Sequence, residues 1–208
     1  YPLKLFVCDK CFLVQIDEYK KAKAIFNEEY AYFASFSTSW LEHSKKYVDM
    51  ITDRLQLTPN NRVIEVASND GYLLQYFKEK NIPVLGIEPA ANTAVVAQEK
   101  GIETLTKYLN VELANELVSQ GRKADLVLGN NVLAHVPDIN DFVESLKLLL
   151  TDRGVLTMEF PHLMQLVQHN QFDTIYHEHF SYLSFTTVKA VFEAHGLSMF
   201  DVEELPTH

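Results

Sequence analysis

Four consecutive residues, Tyr176-His177-Glu178-His179, carry the groups that a proton transfer needs. A histidine titrates near neutrality and is a competent general base, a role open to His179 or His177. A neighbouring carboxylate such as Glu178 can orient the ring and favour its charged form. A hydroxyl such as that of Tyr176 can hydrogen-bond a developing enolate. The H-E-x-x-H spacing of a metal helix is absent. The same residues also suit a polar loop ahead of a helix.

A second group reads as a nucleoside site. Val63-Ile64-Glu65-Val66-Ala67-Ser68-Asn69-Asp70-Gly71-Tyr72-Leu73-Leu74 has the pattern of a buried strand, a small-residue turn and a helix. Val84-Leu85-Gly86-Ile87-Glu88-Pro89 follows as a second strand ending in a carboxylate. Glu88 suits a bidentate grip on ribose hydroxyls, and it follows Glu65 by 23 residues, close to the usual gap of about 20. A dinucleotide fingerprint would have glycine at the positions of Ala67 and Asn69; only Gly71 remains. Pyrophosphate needs bare backbone N–H groups. S-adenosylmethionine carries no phosphate, so the turn favours that cofactor over NAD, with Glu65, Ala67, Asn69, Asp70, Gly71, Glu88 and Pro89 as candidate binding residues.

Three more stretches stand out. Gly129-Asn130-Asn131-Val132-Leu133-Ala134-His135-Val136-Pro137-Asp138 follows a strand, and open α/β sheets bind ligands beyond the carboxyl ends of their strands. Asn130, Asn131 and His135 would face cofactor or substrate there, although His135 also suits a loop-ordering role. The aromatic stretch from Glu29 to Ser37, Tyr32 included, could wall a pocket against a sulfonium or a sugar ring, or simply contribute to the core. Cys8 and Cys11 form a C-x-x-C between short apolar runs, the look of one knuckle of a zinc ribbon, but tetrahedral zinc takes four ligands.

The elements that must position these residues alternate. Strands are predicted near 62–67, 83–88, 102–106, 124–129, 153–160 and 198–204, and helices near 72–80, 90–100, 110–120, 139–150 and 186–195. A further helix is expected over 38–57, capped by Ser37 or Thr38. The result is an α/β protein on a mostly parallel, doubly wound sheet, divided as 1–37 and 38–208. The 208 residues carry 18 basic and 28 acidic side chains, a net charge of −10, which argues against nucleic acid or an anionic membrane as partner. No apolar run is long enough to span a membrane. Cysteine usage points to a reducing compartment, the cytoplasm. The absence of an initiator Met and of a signal peptide suggests that the chain begins inside a longer product.

Taken in order, the C-x-x-C, the tyrosine-rich stretch with Ser35 and Ser37, the Glu65–Gly71 turn, Leu133-Ala134-His135-Val136-Pro137-Asp138 and Tyr176-His177-Glu178-His179 resemble the S-adenosylmethionine-dependent sugar C-methyltransferases. These act on nucleotide-linked 4-keto-deoxyhexoses. The resemblance spans the chain, and its Y-H-E-H segment is the most specific part. It implies a class I methyltransferase fold, Rossmann-like, with a remnant of an N-terminal zinc-binding subdomain holding Cys8 and Cys11. Phe12 departs from the glycine usual in that knuckle. It also implies a C-terminal sugar-holding domain beyond this chain, and two more zinc ligands upstream. By that resemblance His179 takes the C3 proton, Glu178 orients its ring, Tyr176 serves the enolate and Tyr32 lines the transfer site. A methyltransferase acting on oxygen or nitrogen, and a non-catalytic protein with a degenerate core, are the alternatives.

Overall fold

The Cys8–Cys11 turn folds the chain back on itself: the Phe12 N–H donates to the Cys8 carbonyl at 3.0 Å, and the Cys8 N–H to the Leu13 carbonyl at 3.0 Å. Phe12 takes a left-handed φ of 61° to do so, the conformation a glycine would adopt freely. In the computed structural model, which describes residues 2–27 and 30–205, this turn joins Leu5–Val7 (β1) to Val14–Ile16 (β2) in antiparallel register. Glu29, which opens the aromatic stretch above, lies outside the described residues. The Cys8 thiol is drawn below its ordinary value by the backbone N–H of Cys11, then by that of Lys10 and the Cys11 side chain. Among the described residues, however, no group of three His, Cys, Asp or Glu side chains could hold a metal. The two thiols alone do not make up a zinc site.

After a short helix, Ala22–Ile25 (α1), and a single 3-10 turn at Ala34–Phe36, the chain enters Thr38–Leu55 (α2). The Ser37 hydroxyl accepts from the Trp40 N–H and caps α2 as expected. The βα alternation then runs Val63–Val66 (β3), Leu74–Glu79 (α3), Val84–Ile87 (β4), Ala91–Glu99 (α4), Thr104–Leu105 (β5), Val111–Ser119 (α5), Ala124–Asn130 (β6), Ile139–Leu149 (α6) and Leu150–Glu159 (β7). These five strands form a parallel sheet in the order β5-β4-β3-β6-β7. Side chains alternate across the pleat. Ile64, Val66 and Val127 pack with α5 and α6; Val63, Leu126 and Leu128 pack with α2 and α3. The inner strands β3, β4 and β6 are buried on both faces, as in parallel sheets generally, whereas the edge strand β7 is partly exposed. The strand order reverses between β3 and β6, which puts a crevice outside their carboxyl ends.

The remaining elements are Leu163–Gln168 (α7), Ser181–Tyr182 (β8) and Phe185–Ala194 (α8). β8 pairs with β2, Val14 against Tyr182 and Gln15 against Ser181, so a ladder ties residues 1–37 to the rest of the chain. The strand expected over 198–204 does not form: residues 197–205 are irregular, with Phe200 and Val202 exposed. The sheet ends at β7, and a segment without a ladder partner has no strand to become. No helix of the described residues is long and apolar enough to cross a membrane.

Candidate active site

The turn after β3 has left-handed corners at Ala67, Asn69 and Gly71, with φ of 57°, 48° and 74°. Ala67 and Asn69 stand at the first two glycine positions of the dinucleotide fingerprint, so the backbone shape survives there although those glycines do not; the third would fall at Tyr72. Gly71 is doubly constrained, since a Cβ there would fall 2.5 Å from the Ile102 Cδ1. The Asn69 N–H donates to one Glu88 oxygen at 2.9 Å and the Ala90 N–H to the other at 2.8 Å. Burial pushes the Glu88 carboxyl up, and the N–H groups of Ala90 and Asn69 pull it back.

These residues open on a cavity of 680 Å³, within the size range of a small-molecule site. Ala67, Asn69, Glu88 and Pro89 line it from the first two βα turns; Asn130, Asn131 and His135 line it from the loop after β6. Tyr32, Tyr176, Glu178 and His179 also line it. Asp70 and Gly71 do not. The Asp70 carboxylate instead accepts from the Ser35 hydroxyl and from Lys100 Nζ, the latter at 3.4 Å. Glu65 lies fully buried on the α2 face of β3, neither oxygen in hydrogen-bonding geometry with a described residue. Burial raises its carboxyl well above the ordinary range, opposed by the nearby Tyr72 hydroxyl and reinforced by Glu88 and Asp70.

At Tyr176–His179 a tight turn brings the first side chain under the last. The His179 Nδ1 lies 2.9 Å from the Thr174 carbonyl and its Nε2 lies 3.0 Å from the Tyr176 hydroxyl. A carbonyl only accepts, so the neutral ring carries its proton on Nδ1 and accepts the Tyr176 O–H at Nε2. The group that orients His179 is therefore the Thr174 carbonyl, not the Glu178 carboxylate expected from the sequence. Glu178 lines the cavity wall, and its backbone carbonyl lies 2.8 Å from His135 Nδ1. His177 is not among the lining residues and faces Tyr19, with ring centroids 5.8 Å apart. Burial lowers the His179 ring, with the Thr174 carbonyl opposing. Burial, then the Glu178 charge, raises the Tyr176 hydroxyl. The His135 ring stands 4.6 Å from that of His179.

Several residues of the site escaped the sequence. Phe26 packs edge-on against His135 at 5.4 Å, and Trp40 stacks on Tyr72 at 5.9 Å; all line the cavity. Tyr108 also lines it, beyond the carboxyl end of β5, and the strand-end rule would have found it. On the sheet's α2 face, His43 Nε2 meets the Glu159 carboxylate at 2.9 Å and the Tyr47 hydroxyl meets that of Thr157 at 2.5 Å. A second cavity, of 460 Å³, shares Tyr30, Tyr32, Tyr176 and Glu178 with the first.

Residues 40–202 match the model of a family described as a methyltransferase domain. The chain is similar to the C-methyltransferase NovU of Streptomyces niveus, with 36% identity across 100% of this chain and 49% of that protein. It is also similar to a ubiquinone biosynthesis O-methyltransferase of Bartonella quintana (strain Toulouse), with 25% identity over 50% of this chain and 43% of the relative. The chain thus spans about half the length, or less, of these curated relatives. Among solved structures, a SAM-dependent methyltransferase from Archaeoglobus fulgidus superposes with a TM-score of 0.62 at 16% identity, covering 75% of this chain and 68% of that one. That likeness is one of fold.

Proposed function

The chain belongs to the methyltransferase-domain family, and from that premise we propose that it methylates carbon in a nucleotide-linked 4-keto-deoxy sugar, through an enolate formed by His179. The cofactor of its fold, S-adenosylmethionine, supplies an electrophilic methyl group when bound. The residues fit it. The Ala67–Gly71 turn keeps the cradle shape, Glu88 is fixed at the cavity wall for ribose hydroxyls, Asn130 Nδ2 is a buried donor without a hydrogen-bond partner among the described residues, and Glu65 lies buried beside the Tyr72 hydroxyl. Glu65 and Asn130 would serve the cofactor's amino acid end.

The observation that carries the carbon-transfer reading is the Thr174–His179–Tyr176 chain opening on the cavity that Glu88 also lines. A 4-keto group acidifies the hydrogen on C3. The Tyr176 hydroxyl moves its hydrogen bond from Nε2 to the substrate's carbonyl oxygen, and the freed Nε2 takes the C3 proton. The C3–H electron pair becomes the enolate, with its charge against Tyr176 and the new imidazolium proton balanced by the Thr174 carbonyl on Nδ1. A base kept neutral by burial is ready at neutral pH. Transfer to oxygen or nitrogen needs one base and no enolate partner. The similarity to a C-methyltransferase along the whole chain supports carbon, and the second cavity beside Tyr176 gives room for the acceptor.

The test is hydrogen exchange at C3 of a nucleoside-diphosphate 4-keto-deoxyhexose in D₂O. The wild-type protein should wash deuterium into C3 without S-adenosylmethionine, and His179→Asn should slow this by about 10²–10⁴-fold, the usual worth of a positioned base. Equal exchange rates in the two proteins would exclude His179 as the base.

A further inference from the structure

At position 69 the fold asks for glycine and the chain supplies asparagine. A φ of 48° is left-handed, which asparagine tolerates better than most side chains. The amide then does what glycine cannot. Its Oδ1 accepts from the Ala34 N–H at 2.9 Å and its Nδ2 donates to the Tyr32 carbonyl at 3.0 Å, gripping that backbone much as a neighbouring strand would. Two more residues from the cofactor side hold the same stretch. The Asp70 carboxylate accepts from the Ser35 hydroxyl, and Asn92 Nδ2 donates to the Tyr30 carbonyl at 2.7 Å.

The stretch cannot anchor itself by burial. Ala34 is 2% exposed, but Tyr32 is 55% and Phe36 82% exposed, and Phe33 stacks on Phe36 within the stretch itself. Yet Tyr30, Tyr32 and Ala34 form part of the cavity wall. A wall held mainly by polar side chains depends on those side chains.

We infer that Asn69 is a positioning residue: it clamps residues 30–36 to the turn that holds the cofactor, so that the wall bearing Tyr30 and Tyr32 and the cofactor turn move as one piece. The inference rests on the cofactor reading above only for its consequence, slower cofactor release. The backbone N–H of residue 69 still reaches Glu88 in Asn69→Gly, and glycine takes the left-handed corner without strain. In the ligand-free protein, hydrogen exchange at the Ala34 amide and its neighbours should rise about tenfold in this variant. Exchange over 63–73 and the thermal midpoint should hold. Release of S-adenosylhomocysteine should speed up by a similar factor. Ser35→Ala removes a clamp from the other partner and should move the same amides in the same direction. A merely structural Asn69 would instead loosen the turn itself and lower the midpoint. Unchanged exchange at 30–36 in both variants would overturn the clamp. Failure of the wild-type protein to bind S-adenosylhomocysteine would overturn the cofactor reading, and the ligand-free exchange would still decide the clamp.

Discussion

His135 bears on the pH range in which the site holds together. Burial, then the neighbouring His179, lowers its ring from 6.5 to about 4, against the Glu178 carbonyl that favours its charged form. The folded protein therefore keeps this ring neutral while the unfolded chain protonates it. The stability at stake is fully present above pH 6.5 and is lost as the pH falls from there through 4. Each tenfold loss of proton affinity is worth roughly 1.4 kcal/mol, so the stability lost amounts to about 3–4 kcal/mol. His135→Asn retains a donor for the Glu178 carbonyl but cannot titrate. Urea midpoints measured at pH 7 and pH 4 should fall further in the wild type than in the variant; parallel falls would contradict the assignment. At this scale the sequence was only partly legible. It marked Tyr176, Glu178 and the two histidines, and the family resemblance favoured His179 over His177 without a geometric ground. That choice depends on a turn which aims one ring at Thr174 and the cavity and the other at Tyr19. Nor could it see that a backbone carbonyl, invisible in residue types, would displace Glu178 as the orienting group.

Among the elements, the β3–α3 turn tests whether shape was kept at an energetic cost. Ala67 holds a φ of 57°, and left-handed backbone costs a residue with a Cβ about 1–2 kcal/mol. Ala67→Gly should therefore raise the stability measured by urea unfolding by about 1 kcal/mol, less what the freer unfolded chain recovers. A loss of stability would mean that the alanine methyl packs well enough to outweigh the strain. β3, β4 and β6 were legible because short runs dominated by apolar residues mark strands covered on both faces, even with Glu65 in β3 and Asp125 in β6. The helix α2 was legible from its apolar spacing and its serine cap. β8 was not: two residues, Ser181 and Tyr182, carry no periodicity, and only pairing to β2 makes them a strand. The 198–204 segment failed for the converse reason: Phe200 and Val202 alternate with acidic residues, but it has no ladder partner among the described residues. The pairs His43–Glu159 and Tyr47–Thr157 match a helical spacing of four to a strand spacing of two. Such a match shows only once the two elements are known to touch.

For the whole molecule, the strand order delivers the chemistry. Alternating strands and helices predict a doubly wound sheet, and its crevice falls where β3 and β6 diverge, so Glu88, Asn130 and His135 converge although distant in sequence. The hairpin around Cys8 and Cys11 lies within residues 1–37, and β2 pairs with β8, which directly follows the segment carrying Tyr176 and His179. Its link to the site could not be read from spacing, because it runs through a ladder between residues about 170 positions apart. On the proposed function, one cavity with Glu88 on its wall and His179 facing it holds S-adenosylmethionine. Calorimetric titration of S-adenosylhomocysteine into the wild-type chain and into Glu88→Ala decides this. Saturable one-site binding by the wild type, weakened at least about tenfold by loss of the ribose contacts, is the expected result. No saturable binding, or equal affinity in the two proteins, would contradict it.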